Sequence, residues 1–408
     1  MANNFTNTSL VTKLILKEFL NEMQLGKKVD RQLDSQFKKV GASIDVRRPV
    51  MFTATSGATL GTAISIEERS ATVTLDQRQH VHFVITSQDE TLSVEDMVKR
   101  YIRPAAVELV QKVESDIADQ YKYIGNFIGT PGTTPSSFLS VANAGALLKK
   151  LGVPQDEVWC AFFNPDASVA LADGLKGVFP STIATKAIER ASIGYYGGFD
   201  LYDNQSLKSH TVGVATGTPL VNGASQETTY ALAGDSWTQT LATDGWTNST
   251  ADILLAGDVI TIAGVNSVNR RTRADTGSLQ TFVVTADAAS GASTGPSSLT
   301  ISPPIIISGP YQTVTAAPAN DAIITVKTGT GGVSYPQNLA FHPQAITLAM
   351  APLDLPTDGV SAARESLDGI SIRSARQYDI TNDKTVFRFD ILYGVKAQNP
   401  DMAVRITG

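Results

Sequence analysis

Gly291-Ala292-Ser293-Thr294-Gly295 has the glycine–serine–glycine spacing that exposes a nucleophilic hydroxyl on a strained strand-to-helix turn. That chemistry needs a strand before the serine and a helix after it. Here the flanks are Ala288-Ala289-Ser290 and Pro296-Ser297-Ser298, which read as a flexible loop, so Ser293 is expected to be an ordinary loop residue. His80 and His82 lie two apart and so share one face of a strand, acceptable geometry for two ligands of a zinc ion. The chain has only four histidines, and spacing fixes no third ligand beside this pair, so surface or interface histidines are expected. Thr328-Gly329-Thr330-Gly331-Gly332 is glycine-rich but lacks the Lys-Ser/Thr of a phosphate loop and reads as a linker. The single cysteine, Cys160, rules out an intrachain disulfide and a multi-cysteine metal site. Its apolar surroundings, Val158 to Phe163, predict a buried, inert thiol. No acidic pair is spaced for acid–base work. We therefore expect no catalytic residue, no metal site and no cofactor.

Charge points to contacts instead. Arg270, Arg271 and Arg273, followed by Asp275, form the one basic cluster of an otherwise charge-poor region. Nucleic-acid contact would want more charge with interleaved aromatics. Two readings remain open: a solvated loop, or a charged protein–protein contact in which arginine forks meet carboxylates. The net charge of −6 gives no general drive toward nucleic acid or acidic membranes. Residues 1–50 nevertheless hold nine Lys and Arg against five Asp and Glu, leaving the rest of the chain strongly acidic.

At 408 residues, two or three domains are expected. Residues 9–25 read as an amphipathic helix capped by Thr8 or Ser9 and ended by Gly26. With the basic tail that follows, it reads as an arm whose apolar stripe is buried against a neighbour. Residues 42–86 read as a long extended hairpin with a flexible tip at Thr53–Gly61. Two strands alone are marginal in water, so this hairpin implies a partner surface. Ser93-Val94-Glu95-Asp96 starts a short helix over 93–102. Pro104 opens a long one over 104–124, with Ala105, Leu109, Val113, Ile117 and Tyr121 on one stripe. A turn at Gly129–Pro135, a helix to about Lys150, a buried strand to Phe163, a helix capped by Asn164 and another over 181–191 suggest a mixed α/β domain.

Residues 204–335 then hold only 13 charged residues in 132, with strand patterns at Val259–Ala263, Gln280–Thr285, Leu299–Ile307 and Ala322–Val326. That region reads as a small β-barrel domain inserted into a larger one, which resumes with strands at Ala345–Met350 and Lys384–Tyr393. No secretory signal and no membrane-spanning run is apparent, so folding and action in a cytoplasm are expected.

In this order the segments resemble a known family. The local matches are Gly197-Gly198-Phe199-Asp200-Leu201-Tyr202 leading to His210-Thr211, and Ala256-Gly257-Asp258 running to Val265. Further matches are Ile301–Ile306, Asn338–His342, Ala349–Leu353, Tyr378-Asp379-Ile380 and Leu392–Lys396. The chain resembles the tailed-bacteriophage capsid proteins, of the Salmonella podophage coat type with an inserted β domain. The resemblance implies an α+β fold with an N-terminal arm (1–41), an extended loop (42–86) and a peripheral domain (87–139) with its spine helix at 104–124. It also implies an axial domain (140–209), the inserted barrel (210–335) and an axial and peripheral return (336–408).

It further implies a virion shell of hexamers and pentamers, assembled in the bacterial host cytoplasm and expanding on packaging. The implied partners are a separate scaffolding protein, a portal protein, double-stranded DNA held non-specifically on the inner face and a decoration protein, but no membrane. It places Arg47, Arg48, Glu67, Glu68 and Arg69 where the extended loop meets a neighbouring subunit, and Arg270, Arg271, Arg273 and Asp275 where capsomers meet. No lysine lies between Lys39 and Lys99, so the lysine cross-link that some relatives make from this loop is excluded there.

Two other functions compete. A tail or fibre component would also be site-poor and rich in Thr, Ser and Gly, but would not need the hairpin with its long helix. A hydrolase on the α/β core would need a convergent acid, base and nucleophile that the sequence does not present.

Overall fold

The computed structural model describes residues 8–31, 43–48, 50–54, 58, 66–86, 98–175, 194–356 and 359–408. Most of the expected hairpin tip, the Ser93–Asp96 helix start and the helix expected over 181–191 lie outside these residues. The chain divides into two compact units.

The first unit joins residues 1–45, 72–117 and 346–396. Its centre is an antiparallel sheet in which the strand Lys384–Ala397 pairs with Ile370–Asp379 on one edge and with Gln77–Thr86 on the other. The helix Thr8–Glu22 lies on this sheet and buries Val11, Ile15, Leu16 and Phe19. Thr12 Oγ1 shares a 2.6 Å hydrogen bond with Ser374 Oγ, and Ser9 Oγ donates to Glu365 Oε1 at 2.9 Å. This corrects the expectation of an arm that buries its stripe against a neighbour. The apolar face is covered within its own unit, because the inward residues of Ser361–Leu367 and Ile370–Asp379 supply the missing partner surface. The chain leaves the helix earlier than expected, and Glu114 Oε1 accepts the backbone N–H groups of Gln24 and Leu25.

The return limb of the expected hairpin is also corrected. Ser43–Arg47 and Ser70–Thr74 pair with each other, but residues beyond Leu75 leave the hairpin. Gln77–Thr86 runs in register with Lys384–Tyr393, which stabilises it by a full ladder on a central strand. The long helix is α-helical over Arg103–Ala118, preceded by a π-turn at Val98–Ile102 and followed by a 3-10 turn at Asp119–Tyr123. Such tightening is common where the last carbonyls lose their i+4 partners. The expected stripe of Ala105, Leu109, Val113, Ile117 and Tyr121 is buried throughout.

The second unit joins residues 46–71, 118–345 and 397–408. Its α/β body has a six-stranded sheet in the order Phe127–Ile128, Ala403–Ile406, Asn338–Phe341, Trp159–Phe163, Phe199–Asp203, Tyr195–Tyr196. The helix Phe138–Leu151 packs on it, with Val141, Ala144 and Leu148 meeting Trp159, Phe199 and Val404 in one core. Ser137 caps this helix, and Gly152 (φ +83°) ends it in a left-handed turn whose next N–H, from Val153, reaches back to Leu148 O at 3.0 Å. Asn164 Oδ1 accepts the N–H of Ala167 at 3.2 Å and starts the helix Pro165–Leu175.

The inserted β domain hangs from a two-stranded stem, Ser209–Thr211 against Ser334–Pro336. Its sheet runs Ile324–Val326, Val259–Val268, Asp275–Val284, Ser297–Ser302, Gln239–Trp246, Gly217–Val221. The two edge strands meet at a Leu220–Ile323 bridge, and Val221 N donates to Ala322 O at 3.0 Å, so the sheet closes into a barrel. Leu241, Trp246, Ile260, Ile262, Phe282, Leu299 and Ile301 fill it. At roughly 1.5–3 kcal/mol for each fully buried large apolar side chain, these residues supply the driving force that the charge-poor surface does not.

Candidate functional site

Two groups of polar side chains are assembled from distant parts of the second unit. The first lies at the root of the barrel. His210 leaves the stem and places Nε2 2.9 Å from Asp258 Oδ1, while its Nδ1 lies 3.1 Å from Tyr121 Oη. Asp258 also accepts from Thr328 Oγ1 at 2.8 Å and from the backbone N–H groups of Leu255 at 2.8 Å and Gly213 at 3.0 Å. Burial alone would raise this carboxyl, but the bonds from His210, Leu255 and Gly213 outweigh it and hold it below the usual carboxylate range. Gly257 has φ +107°, and a Cβ there would stand 3.1 Å from the His210 ring, so the turn before Asp258 needs glycine twice over. Arg405 is wholly buried, and its guanidinium lies 5.7 Å from the Tyr121 ring and 5.5 Å from the Phe127 ring. Burial brings its pKa down to about 10, and burial also raises Tyr121 to about 12.

A tyrosine–histidine–aspartate chain can in principle move a proton. Here Tyr121 and His210 are each 3% exposed and Asp258 is 0% exposed, so a substrate cannot reach them. What the cluster does is tie the stem, the first barrel turn, the end of the long helix and the C-terminal strand into one joint.

The second group gathers around a cavity of about 520 Å³. Arg48 reaches over Trp237, 5.6 Å from its ring, and donates to Gln398 O at 2.9 Å. Burial lowers its pKa against the pull of Asp401, Tyr230 and Asp235. Tyr230 and Tyr311 stack face to face beside it. Arg270 pairs with Asp401 at 3.5 Å and is 10% exposed, and Arg273 donates to Phe52 O and Pro310 O at 3.0 and 3.3 Å. The structure thus brings together Arg48, Arg270 and Arg273 from two stretches that the sequence presented separately.

The other expected contact residues stay apart. Arg47, on its strand, and Glu68, just before Ser70–Thr74, form an exposed pair at 2.9 Å. Arg69 approaches Asp235 at 3.7 Å, and Glu67 O accepts the Tyr311 hydroxyl at 3.3 Å. Arg271 is exposed at the cavity rim. Asp275 faces away, accepting from Asn266 Nδ2 and Gly277 N to set its own turn. The solvated-loop reading therefore fits Arg271 but not Arg270, which is anchored to the α/β body.

Sequence reasoning missed Tyr230, Trp237, Tyr311 and Asp401. The available signal was the bulk of three aromatics in a stretch otherwise dominated by Thr, Ser, Ala and Gly, where such rings must find a packing site. The patterns weighed for chemistry are placed as follows. Ser293 sits in a loop at φ +75° with the strand Ser297–Ser302, not a helix, after it. His80 and His82 stack on the exposed side of their strand, opposite Asp390 and Arg388 in register. Thr328 serves Asp258, and Gly329 (φ +126°) packs against Tyr335. Cys160 is buried. Among the described residues, no group of three His, Cys, Asp or Glu is placed to hold a metal, and no helix is long and apolar enough to cross a membrane.

Comparison with known proteins gives a consistent set of likenesses. A family model described as P22 coat protein, gene protein 5, matches residues 1–408. The chain is 25% identical over 428 residues to the major capsid protein of Acyrthosiphon pisum secondary endosymbiont phage 1, covering 100% of both. Among solved structures, one from Mycobacterium phage Che8 has 14% identity and a TM-score of 0.48, over 94% of this chain and 90% of that one. The CUS-3 coat protein I-domain is 29% identical over 28% of this chain and 97% of its own, with a TM-score of 0.20.

Proposed function

The chain belongs to the P22 coat protein family and is a phage major capsid protein, and from that premise we propose how it builds its shell. Capsid oligomers of this chain close into an icosahedral head as hexamers and pentamers. A separate scaffolding protein guides them in the host cytoplasm, a portal protein occupies one vertex, and a decoration protein binds outside. The shell holds double-stranded DNA non-specifically on its inner face and expands as it fills. The subunit is structural and carries no catalytic centre.

The observation that carries this reading is the family match along the whole chain. The placement of the polar groups supports it, because the most connected of them, Tyr121, His210 and Asp258, are spent on an internal joint. Of the charged contact residues, the exposed pair Arg47 and Glu68 and the rim residue Arg271 are placed to meet another subunit. The experiment is expression of the chain alone and with the neighbouring phage genes, followed by sedimentation velocity. Uniform shells should appear only with the scaffold, and heterogeneous or aberrant particles without it. Uniform shells from the chain alone would remove the scaffold from the account.

A further inference from the structure

The cavity beside Arg48 holds more positive charge and more donor hydrogens than its own walls satisfy. Three partly buried guanidiniums (Arg48, Arg270 and Arg273) line it with the exposed Arg271 at its rim, and Asp401 is the one acid among the described residues that line it. Apart from that acid, the acceptors these arginines meet are neutral carbonyls of Gln398, Gln312, Phe52, Pro310 and Arg271. The Nε atoms of all three arginines and Nε1 of Trp237 have no acceptor among the described residues. A carboxylate entering the cavity supplies the anionic acceptor that these walls do not. The remaining wall is apolar and aromatic, and Trp237 is 9% exposed, which suits a short apolar segment carrying one acid.

The chain itself presents such a segment. Leu353-Asp354-Leu355 stands between Pro352 and Pro356, whose rings restrict the backbone. Two arginines pin the loop from behind: Arg364 donates to Leu353 O at 3.0 Å and Arg373 to Asp354 O at 2.7 Å. The Asp354 side chain is fully exposed, and its nearest cation, Arg364, lies at a loose 3.9 Å, a surface pairing of little strength. Leu355 is 43% exposed beside it. An acid and a leucine are thus held out to solvent on a backbone that has little entropy left to lose on binding.

We propose that the cavity lined by Arg48, Trp237, Arg270 and Arg273 receives the Leu353–Leu355 loop of a second copy of this chain, Asp354 meeting the arginines and Leu355 the aromatic wall. The occupant is a second copy because the charges are complementary and because a shell subunit is surrounded by copies of itself. The inference therefore rests on assembly.

Cys160 is buried and is the single native cysteine, so introduced cysteines report cleanly. Shells of the double variant Met51→Cys/Asp354→Cys, oxidised and run on a non-reducing gel, should give a ladder of linked subunits, and each single variant only monomer. A double-mutant cycle supplies the second readout. Asp354→Asn and Arg273→Gln should each weaken assembly by about ten-fold, the order of one charge-assisted pair, and together no more than either alone. Shells without a ladder, a cross-link confined within one chain, or additive losses would overturn the docking. Failure of the unmodified chain to form any shell with the scaffold present would overturn both the docking and the assembly reading.

Discussion

Asp258 accepts hydrogen bonds from His210, Thr328 and two backbone N–H groups while wholly removed from solvent. A buried carboxylate so held stabilises the fold only while ionised. Its pKa is depressed in the folded state, so its contribution is complete above the unfolded value near 4 and fades as pH falls through the lower, folded value. Asp258→Asn should cost about 3 kcal/mol at neutral pH, because it leaves His210 and two N–H groups short of an anionic acceptor. Urea titration of the unassembled subunit should show this as a lower midpoint, with a shallower loss of stability on acidification than the parent. Equal midpoints would mean that the joint is not holding the barrel root.

The arginine cluster divides similarly. Arg270→Ala should destabilise by about 1–2 kcal/mol through its ties to Asp401 and Gln312, whereas Arg271→Ala should stay within about 0.5 kcal/mol. Thermal denaturation of the two variants measures the difference. None of this was legible from residue types alone. Asp258 and His210 are 48 residues apart, and Arg270 and Asp401 much further, so only the closed fold reveals who faces whom. What the sequence did carry was the Ala256-Gly257-Asp258 turn, whose glycine proves to be required by the ring of His210.

Element boundaries set by local chemistry were readable in advance. Asn164 starts its helix, and the four-residue stripe of Arg103–Ala118 is buried as its spacing demands, while the cap at Ser137 and the stop at Gly152 emerge only from the structure. Pairings set by distant partners were not. Alternation marks Gln77–Thr86 as a strand but cannot say that its ladder lies on Lys384–Tyr393, three hundred residues on. The amphipathic helix Thr8–Glu22 likewise declares an apolar face without declaring the sheet that covers it, and Phe19→Ala should cost about 3–5 kcal/mol there. The barrel was visible through composition, since a stretch with 13 charges in 132 residues must fold around its own Val, Ile and Leu. Its core draws on residues between the two stem strands, so the excised fragment 210–335 should fold alone, with dispersed amide resonances and a cooperative melt. A disordered spectrum would mean that the joint with the α/β body is needed for the barrel to form.

The whole molecule is a building unit whose side-chain chemistry is directed at itself and at its own copies. The buried joint fastens the barrel to the α/β body, the helix Thr8–Glu22 is folded onto its own sheet, and exposed charge remains at Arg47, Glu68, Arg271 and Asp354 for neighbours. Electron cryomicroscopy of particles purified after co-expression with the scaffold gene tests this most directly. Closed icosahedral shells are expected, their five- and six-fold capsomers built from this chain, with each inserted barrel resolved as a distinct density on its subunit. A monodisperse monomer under those same conditions, with scaffold present, would contradict it.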